Sequence, residues 1–301
     1  MLANTNHPKK CLAFVLSGGG SRGALQVGAM RALLEAGIAP DLLVGTSIGA
    51  VNAISLAMGG VTLAGIDALE QGWKKGSSYQ LLDPNITKLV FQALLNHHDD
   101  KARKKIKNFF ISMGITPDLT FKDFKEIQVG LVSADIESGE LVIYGLDQNE
   151  SVLEGLLSSI ALPPWFFPYQ KGERLLVDGG AFSNLPIEAA IKIGATEIIA
   201  LDVDSANSIS SDDLLIYQYV EKYLYALNRR HASLEMALAE AQGIPVHYID
   251  FLGLAGDPTW DFKNYKPLIK KGYEKTRKLI REGNIAPQTM VSVSYDKEMR
   301  R

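Results

Sequence analysis

The sequence predicts an α/β fold with a mainly parallel sheet. Short apolar runs alternate with helical periodicities, and glycine-rich turns follow the first two runs. The composition agrees, with 47% hydrophobic and 22% charged residues in a chain of 301, enough apolar material for a buried core. No repeat or low-complexity linker divides the chain. Residues 1–301 are therefore read as a single domain, with a core over about 12–202.

Cys11 to Leu16 is an apolar run ending in Ser17-Gly18-Gly19-Gly20-Ser21-Arg22-Gly23, which reads as a buried strand entering a tight loop. Lys9-Lys10 ahead of it imitates the start of a signal peptide, but six apolar residues are too few for one. A helix follows, with Leu25, Ala29, Leu33 and Ala36 at helical spacing and Gly37 as its C′ residue. Leu42 to Val44 predicts a second strand, and Gly45-Thr46-Ser47-Ile48-Gly49 turns into a second helix. The uncharged stretch between Asp41 and Asp67 is long enough to span a bilayer. Its glycines and Thr46, Ser47, Asn52, Ser55 and Thr62 favour a strand, a turn and a buried helix instead.

Residues 62–113 predict a helical insertion capping one face of the sheet, broken near Asp83-Pro84-Asn85. Glu126 to Ala134 and Leu141 to Tyr144 predict strands paired through Ser138-Gly139. A helix over Val152 to Ile160 precedes the run Leu162-Pro163-Pro164-Trp165-Phe166-Phe167-Pro168. Leu175 to Val177 predicts a strand ending at Asp178-Gly179-Gly180. Pro186 opens a helix that Gly194 ends, and Glu197 to Leu201 is a further strand. Residues 211–283 read as largely helical. There Val220, Leu224, Leu227, His231, Leu234 and Leu238 step alternately by four and three, forming one apolar stripe that makes His231 a core residue. Val246 to Ile249 is the last predicted strand.

A net charge of −3 gives no reason to expect nucleic acid as a partner. Cys11 is the only cysteine, so no internal disulfide forms, which fits a reducing compartment.

Gly45-Thr46-Ser47-Ile48-Gly49 fits a nucleophile elbow, in which a serine sits on a sharp strand-to-helix turn and small residues flank it to avoid a clash. The helix start, with the Ile48 amide, favours developing negative charge. An ordinary glycine-rich turn gives the same pattern. Gly18, Gly19 and Gly20 let amides converge on an anion without side-chain obstruction, as an oxyanion hole requires, and Arg22 adds positive potential or braces the loop. The same loop also satisfies the dinucleotide fingerprint G-x-G-x-x-G. That rival needs an acid at the end of the second strand, whereas Asp41 precedes the strand. No Gly-Lys-Ser/Thr follows to make a P-loop.

Asp178 ends a strand and is expected on the same sheet edge as Ser47, as its proton acceptor. A turn aspartate is the plainer alternative. Of five histidines, His7 lies in a tail and His97-His98 in a polar break beside Asp99-Asp100, where solvation explains them better than a metal does. His247 follows Asp178 and has the order needed to complete a triad, but it lies inside a strand, so a Ser–Asp pair is favoured.

Taken in order, the glycine loop, the Gly45 to Gly49 elbow, Pro164-Trp165-Phe166-Phe167-Pro168 and Asp178-Gly179-Gly180 resemble the patatin-like phospholipase family over about Leu12 to Asp202. The resemblance implies a three-layer α/β/α fold and hydrolysis of lipid acyl esters without a metal or other cofactor. It implies Ser47 as nucleophile, Asp178 as base, and the amides near Gly19 and Gly20 as oxyanion donors. A lipid ester is the partner expected, and the likeness to soluble bacterial members of similar length implies a cytoplasmic esterase. Trp165, Phe166 and Phe167 line an acyl pocket or pack beneath the site. Lys101, Arg103, Lys104, Lys105 and Lys107 form a basic cluster that either solvates a helix face or meets anionic headgroups at a membrane surface. Asp202 and Asp204 polarise the site edge or solvate a loop. A nucleotide-binding protein and a non-catalytic lipid-binding relative are the other function classes in view.

Overall fold

The computed structural model describes residues 10–79, 101–204, 216–254 and 259–285. His7, the break at Asp83-Pro84-Asn85 and His97-His98 lie outside the described residues.

The strands are β1 (Leu12–Leu16), β2 (Leu42–Thr46), β3 (Gln128–Asp135), β4 (Glu140–Tyr144), β5 (Tyr169–Lys171), β6 (Arg174–Asp178), β7 (Glu197–Asp202) and β8 (Val246–Asp250). The helices are α1 (Ala24–Glu35), α2 (Ile48–Gly59), α3 (Leu63–Tyr79), α4 (Lys101–Ser112), α5 (Val152–Ser159), α6 (Ile187–Ile193), α7 (Ile216–Ala241) and α8 (Tyr265–Arg281). One sheet runs β5-β6-β3-β2-β1-β7-β8, with β4 also on β3. The pairings among β1, β2, β3, β7 and β8 are parallel; β4, β5 and β6 are antiparallel. β5 is the strand that no sequence pattern announced. It is three residues long and starts directly after Pro168.

Alternation along the buried strands makes the three layers. In β1, Phe14 and Leu16 join a core with Leu25, Leu33 and Ile54 of α1 and α2. Ala13 and Val15 join the other core, with Ile187 and Ala190 of α6 and Ala239 of α7. Of the insertion, α3 lies on α1 and α2, where Arg31 of α1 pairs with Asp67 and Glu70.

α7 corrects an expectation. Its four-and-three stripe faces outward: Leu224 and Leu234 are each 49% exposed. The face seated on the sheet is instead Glu235 and Ala239, flanked by Ala232 and Met236. Alternating apolar residues report a period but not the side that seats on the sheet; Ala239 of the helix packs in one core with Ala13 and Ala200 of the strands. Among the described residues, no helix is long and apolar enough to cross a membrane.

Candidate active site

Strand β2 delivers Ser47 into α2 through a sharp elbow. Ser47 has φ 55° and ψ −121°, and among the described residues it is the one non-glycine with positive φ. Such a conformation costs about 1–3 kcal/mol and persists only when its surroundings enforce it. They do so here. A Cβ on Gly45 would stand 2.3 Å from the carbonyl carbon of Gly49, so neither flank admits a side chain. The Ser47 amide donates to Ser159 Oγ at 3.0 Å, and Thr46 Oγ1 donates to the Ser183 carbonyl at 2.9 Å. The first turn of α2 closes with Val51 N–H on the Ser47 carbonyl, which leaves the Ile48 amide among the unpaired donors of the helix start.

Asp178 reaches the same place from the other direction. Val132 of β3 pairs with Thr46 of β2, and the next residue, Ser133, pairs with Asp178 of β6. Because β4 holds the opposite edge of β3, β2 and β6 share one edge and meet end to end. The sequence expectation was a carboxylate ending a strand on the same sheet edge as Ser47; that strand is antiparallel and descends onto the rim. Asp178 is 4% exposed, and burial pushes its pKa up to about 6, against the opposing pull of the Ser47 hydroxyl and the Gly180 amide. Gly180 N–H donates to Oδ1 at 2.8 Å, while Oδ2 is buried without a formed hydrogen bond. The chemistry available is proton acceptance beside a hydroxyl.

The glycine loop supplies the third side. Gly18 donates its amide to the Asn184 carbonyl at 3.0 Å, so it is not a free oxyanion donor as expected. Its role is spatial: a Cβ there would meet Asn184 Oδ1 at 2.5 Å and Ser47 Cβ at 3.2 Å. The Gly19 and Gly20 amides carry no hydrogen bond among the described residues, which leaves them as donors with Ile48. Arg22 is buried at 2% exposure, inside the footing of the loop. Ser21 N–H donates at 2.7 Å to the carbonyl of Thr259, bringing a C-terminal segment against the loop.

Buried polar groups fasten these parts together. Gln26 Nε2 donates to the Ser17 carbonyl at 2.8 Å, Asn52 Nδ2 to Gln26 Oε1 at 2.9 Å and to the Gly23 carbonyl at 2.9 Å, and Trp73 Nε1 to Asn52 Oδ1 at 2.9 Å. Loop, α1, α2 and α3 thus share one satisfied network. On the opposite face, Glu235 Oε1 accepts from Ser183 Oγ at 2.5 Å and Oε2 from the Glu188 amide at 2.8 Å; burial pushes this carboxyl to about 7 against those bonds. Asp202, raised by burial and held by Tyr248 Oη at 2.7 Å, supports the end of β7, and Asp204 bonds Asn228 at 2.9 Å.

The aromatic segment divides. Phe166 is buried in the larger core, whereas Trp165 is half-buried and stacks near Trp260, with ring centroids 6.0 Å apart. The half-buried Phe167 offers its carbonyl to Arg103 Nη2 at 2.5 Å, so one member of the basic cluster braces this segment rather than facing solvent. Lys101, Lys104, Lys105 and Lys107 are exposed. His247 does not approach the site. Its Nε2 lies 2.9 Å from Oε1 of Glu197, the first residue of β7, at the far edge of the sheet. Asp41 is also at that edge, accepting the Leu12 amide at 2.9 Å, where no ribose on the glycine loop would meet it. His231 is half-buried rather than in the core. Ser159, Asn184, Asn52, Glu235 and Trp260 were not foreseen. Of these, Asn184 stands close behind Asp178-Gly179-Gly180 and Asn52 close behind the Gly45 to Gly49 elbow, the nearest motifs that could have drawn attention to them.

A three-layer sandwich with a strained serine beside a buried carboxyl defines the class of α/β proteins built on a strand–serine–helix elbow. Within that class, a family model described as Patatin-like phospholipase matches residues 14–191, and the chain belongs to the patatin-like phospholipase family. Patatin-like phospholipase domain-containing protein 7 of Mus musculus is 30% identical over 197 residues, which cover 64% of this chain and 14% of that protein. Neuropathy target esterase sws of Drosophila melanogaster is 32% identical over 200 residues, 64% of this chain and 13% of that protein. The chain spans less than a sixth of the length of both. Among solved structures, VipD from Legionella pneumophila has a TM-score of 0.46 at 14% identity, covering 91% of this chain and 67% of that one. Human GIVD cytosolic phospholipase A2 gives 0.48 at 10%, covering 91% and 58%.

Proposed function

We propose that the chain is a serine acyl hydrolase that cleaves carboxylic ester bonds of lipids, with Ser47 as nucleophile and Asp178 as base. The observation carrying this reading is the strained Ser47 elbow set end to end against a buried Asp178 whose pKa is raised to about 6. Membership of the patatin-like phospholipase family supports lipid as the substrate class.

In the reaction, Asp178 takes the Ser47 hydroxyl proton as Oγ bonds to the ester carbonyl carbon. The carbonyl oxygen becomes an oxyanion, held by the amides of Gly19, Gly20 and Ile48. As the tetrahedral intermediate collapses, Asp178 gives the proton to the departing alcohol oxygen and leaves an acyl-serine. Water then loses a proton to Asp178 and attacks the acyl carbon. The Ser47–acyl bond breaks, Oγ regains the proton, and the fatty acid departs. No step asks for a histidine. The geometry agrees, because His247 is engaged at the far edge with Glu197.

Labelling with a fluorophosphonate probe and mapping the modified peptide tests the assignment. Label on Ser47, lost together with ester turnover in Ser47→Ala, is the expected result. Turnover retained by purified Ser47→Ala would refute the nucleophile. Liposome binding without label or turnover would indicate a lipid-binding protein, and dinucleotide binding without label would restore the rival reading of the glycine loop.

A further inference from the structure

Helix α7 runs from the catalytic rim to the opposite edge of the sheet, joining the end of β7 to the start of β8. The bond from Asn228 to Asp204, two residues past β7, sets the level of the rim on this helix. The turns before Asn228 therefore lie beyond the rim, a projection of roughly 18 Å at about 1.5 Å per residue. That projection is apolar and uncovered: Tyr219 is 59% exposed, Tyr223 56%, Leu224 49% and Leu227 37%. Leu234, 49% exposed, extends the same face downward. No described side chain of α7 before Glu235 is buried.

We infer that this face of α7 docks the protein on the surface of an anionic lipid bilayer, with the catalytic rim turned toward the lipid. The choice of lipid rests on the function proposed above, and three observations support it. The apolar face projects at the edge where Ser47 and Asp178 lie, the edge a bilayer lipid must reach. Placed at about 100° per residue, Tyr219, Tyr223, Leu224, Leu227 and Leu234 cover about 140° of the helix. That is broader than a coiled-coil seam, and the tyrosine rings on the projecting turns favour the headgroup level of a bilayer. The charge also fits. Between residues 219 and 234 the sequence holds Lys222, Arg229 and Arg230 against one acid, Glu221, and each basic residue near an anionic surface adds attraction. On the same wheel Glu235 and Ala239 follow the arc at about 160° and 200°, so the apolar arc lies beside the seated face rather than under it, and its exposure leaves it open to the contact.

The test compares the wild-type protein with a Tyr223→Ser, Leu227→Ser double variant, both positions being exposed and outside the catalytic machinery. Each is sedimented with phosphatidylcholine vesicles, with and without phosphatidylglycerol, and assayed on a soluble short-chain ester. The wild type is expected to sediment with the phosphatidylglycerol vesicles. The variant should bind them about tenfold or more weakly while its turnover of the soluble ester stays within about twofold. A charge variant, Lys222→Glu with Arg230→Glu, should lose the preference for phosphatidylglycerol. Equal sedimentation of wild type and double variant, or a wild type left in the supernatant, overturns the inference. So does a wild-type dimer that the double variant splits with vesicle binding unchanged, which would give the face to a second copy of the chain. Variant-sensitive sedimentation from a protein that turns over no ester upholds the docking face and counts only against the hydrolase.

Discussion

Thr46 and Asp178 face consecutive residues, Val132 and Ser133, on one edge of strand β3. The nucleophile elbow and the proposed base are thus held by successive rungs of a single backbone ladder. Little freedom remains between them, because a shift of either strand would break pairing on β3. Preorganisation of this kind is what the proposed pair of Ser47 and Asp178 needs to work without a histidine.

The pH dependence of turnover follows from Asp178. A base must be ionised, and burial holds this carboxyl at about 6. The kcat/KM profile should therefore fall below about pH 6, approaching tenfold per pH unit, and level off above it. A limb near pH 4 would mean that the acceptor is an ordinary exposed carboxylate. Rate measurements on a soluble ester between pH 4 and 9 check this.

The same burial makes Asp178 a cost to the fold. Its native pKa of about 6 lies above the ordinary 3.8, so the folded state binds the proton more tightly than the unfolded state does. The stability linked to that proton is complete below about pH 4 and is lost as pH rises through 6, on the order of 3 kcal/mol by pH 8. Asp178→Asn should then abolish turnover yet raise the melting temperature at pH 8. At pH 4 the gain should largely vanish. Equal gains at both pH values would count against a buried charge.

What could be read from the sequence was local. The apolar run before the glycine loop, the Gly45 to Gly49 elbow and the Gly194 helix end each carry their signal within a few residues, and each stands where expected. The direction of the strand that carries Asp178 was not legible, since it depends on pairing with β3, far away in sequence. The outward stripe of α7 had the same cause. Period is local, but the side that seats on the sheet is set by packing against residues far away in sequence, such as Ala13 and Ala200. The braces Ser159, Asn52 and Glu235 are single polar residues whose partners lie on other elements, and no spacing rule reveals them.

Asn52 should be a stability residue with consequences for the loop. Asn52→Leu leaves the Gly23 carbonyl, Gln26 Oε1 and Trp73 Nε1 without their bonds to Asn52 inside the core. A loss on the order of 2–4 kcal/mol is expected. Urea unfolding should show a lower midpoint with an unchanged slope. Pairing the change with Trp73→Phe should cost less than the sum of the two single losses.

Gly18 separates shape from stability. In Gly18→Ala the new methyl would lie 2.5 Å from Asn184 Oδ1 and 3.2 Å from Ser47 Cβ. Both stability and turnover should fall, the latter by about a hundredfold, the scale of a small misplacement at a reacting centre. Adding Asn184→Ala removes the first clash only. The double variant should regain melting temperature but not kcat, and recovery of both would show that the methyl does not crowd the nucleophile.

Ser47 tests whether the elbow stores strain. At φ 55° a side chain is tolerated only under constraint, while glycine adopts this conformation freely. Both Ser47→Gly and Ser47→Ala remove the hydroxyl and should be inactive. They should differ in stability. The alanine variant keeps the Cβ and its strain, so the glycine variant should be the more stable by about 1 kcal/mol, after its greater unfolded-state freedom offsets part of the relief. Matched melts of the two inactive proteins measure that difference directly, and an alanine variant as stable as the glycine one would mean that the turn holds Ser47 without strain.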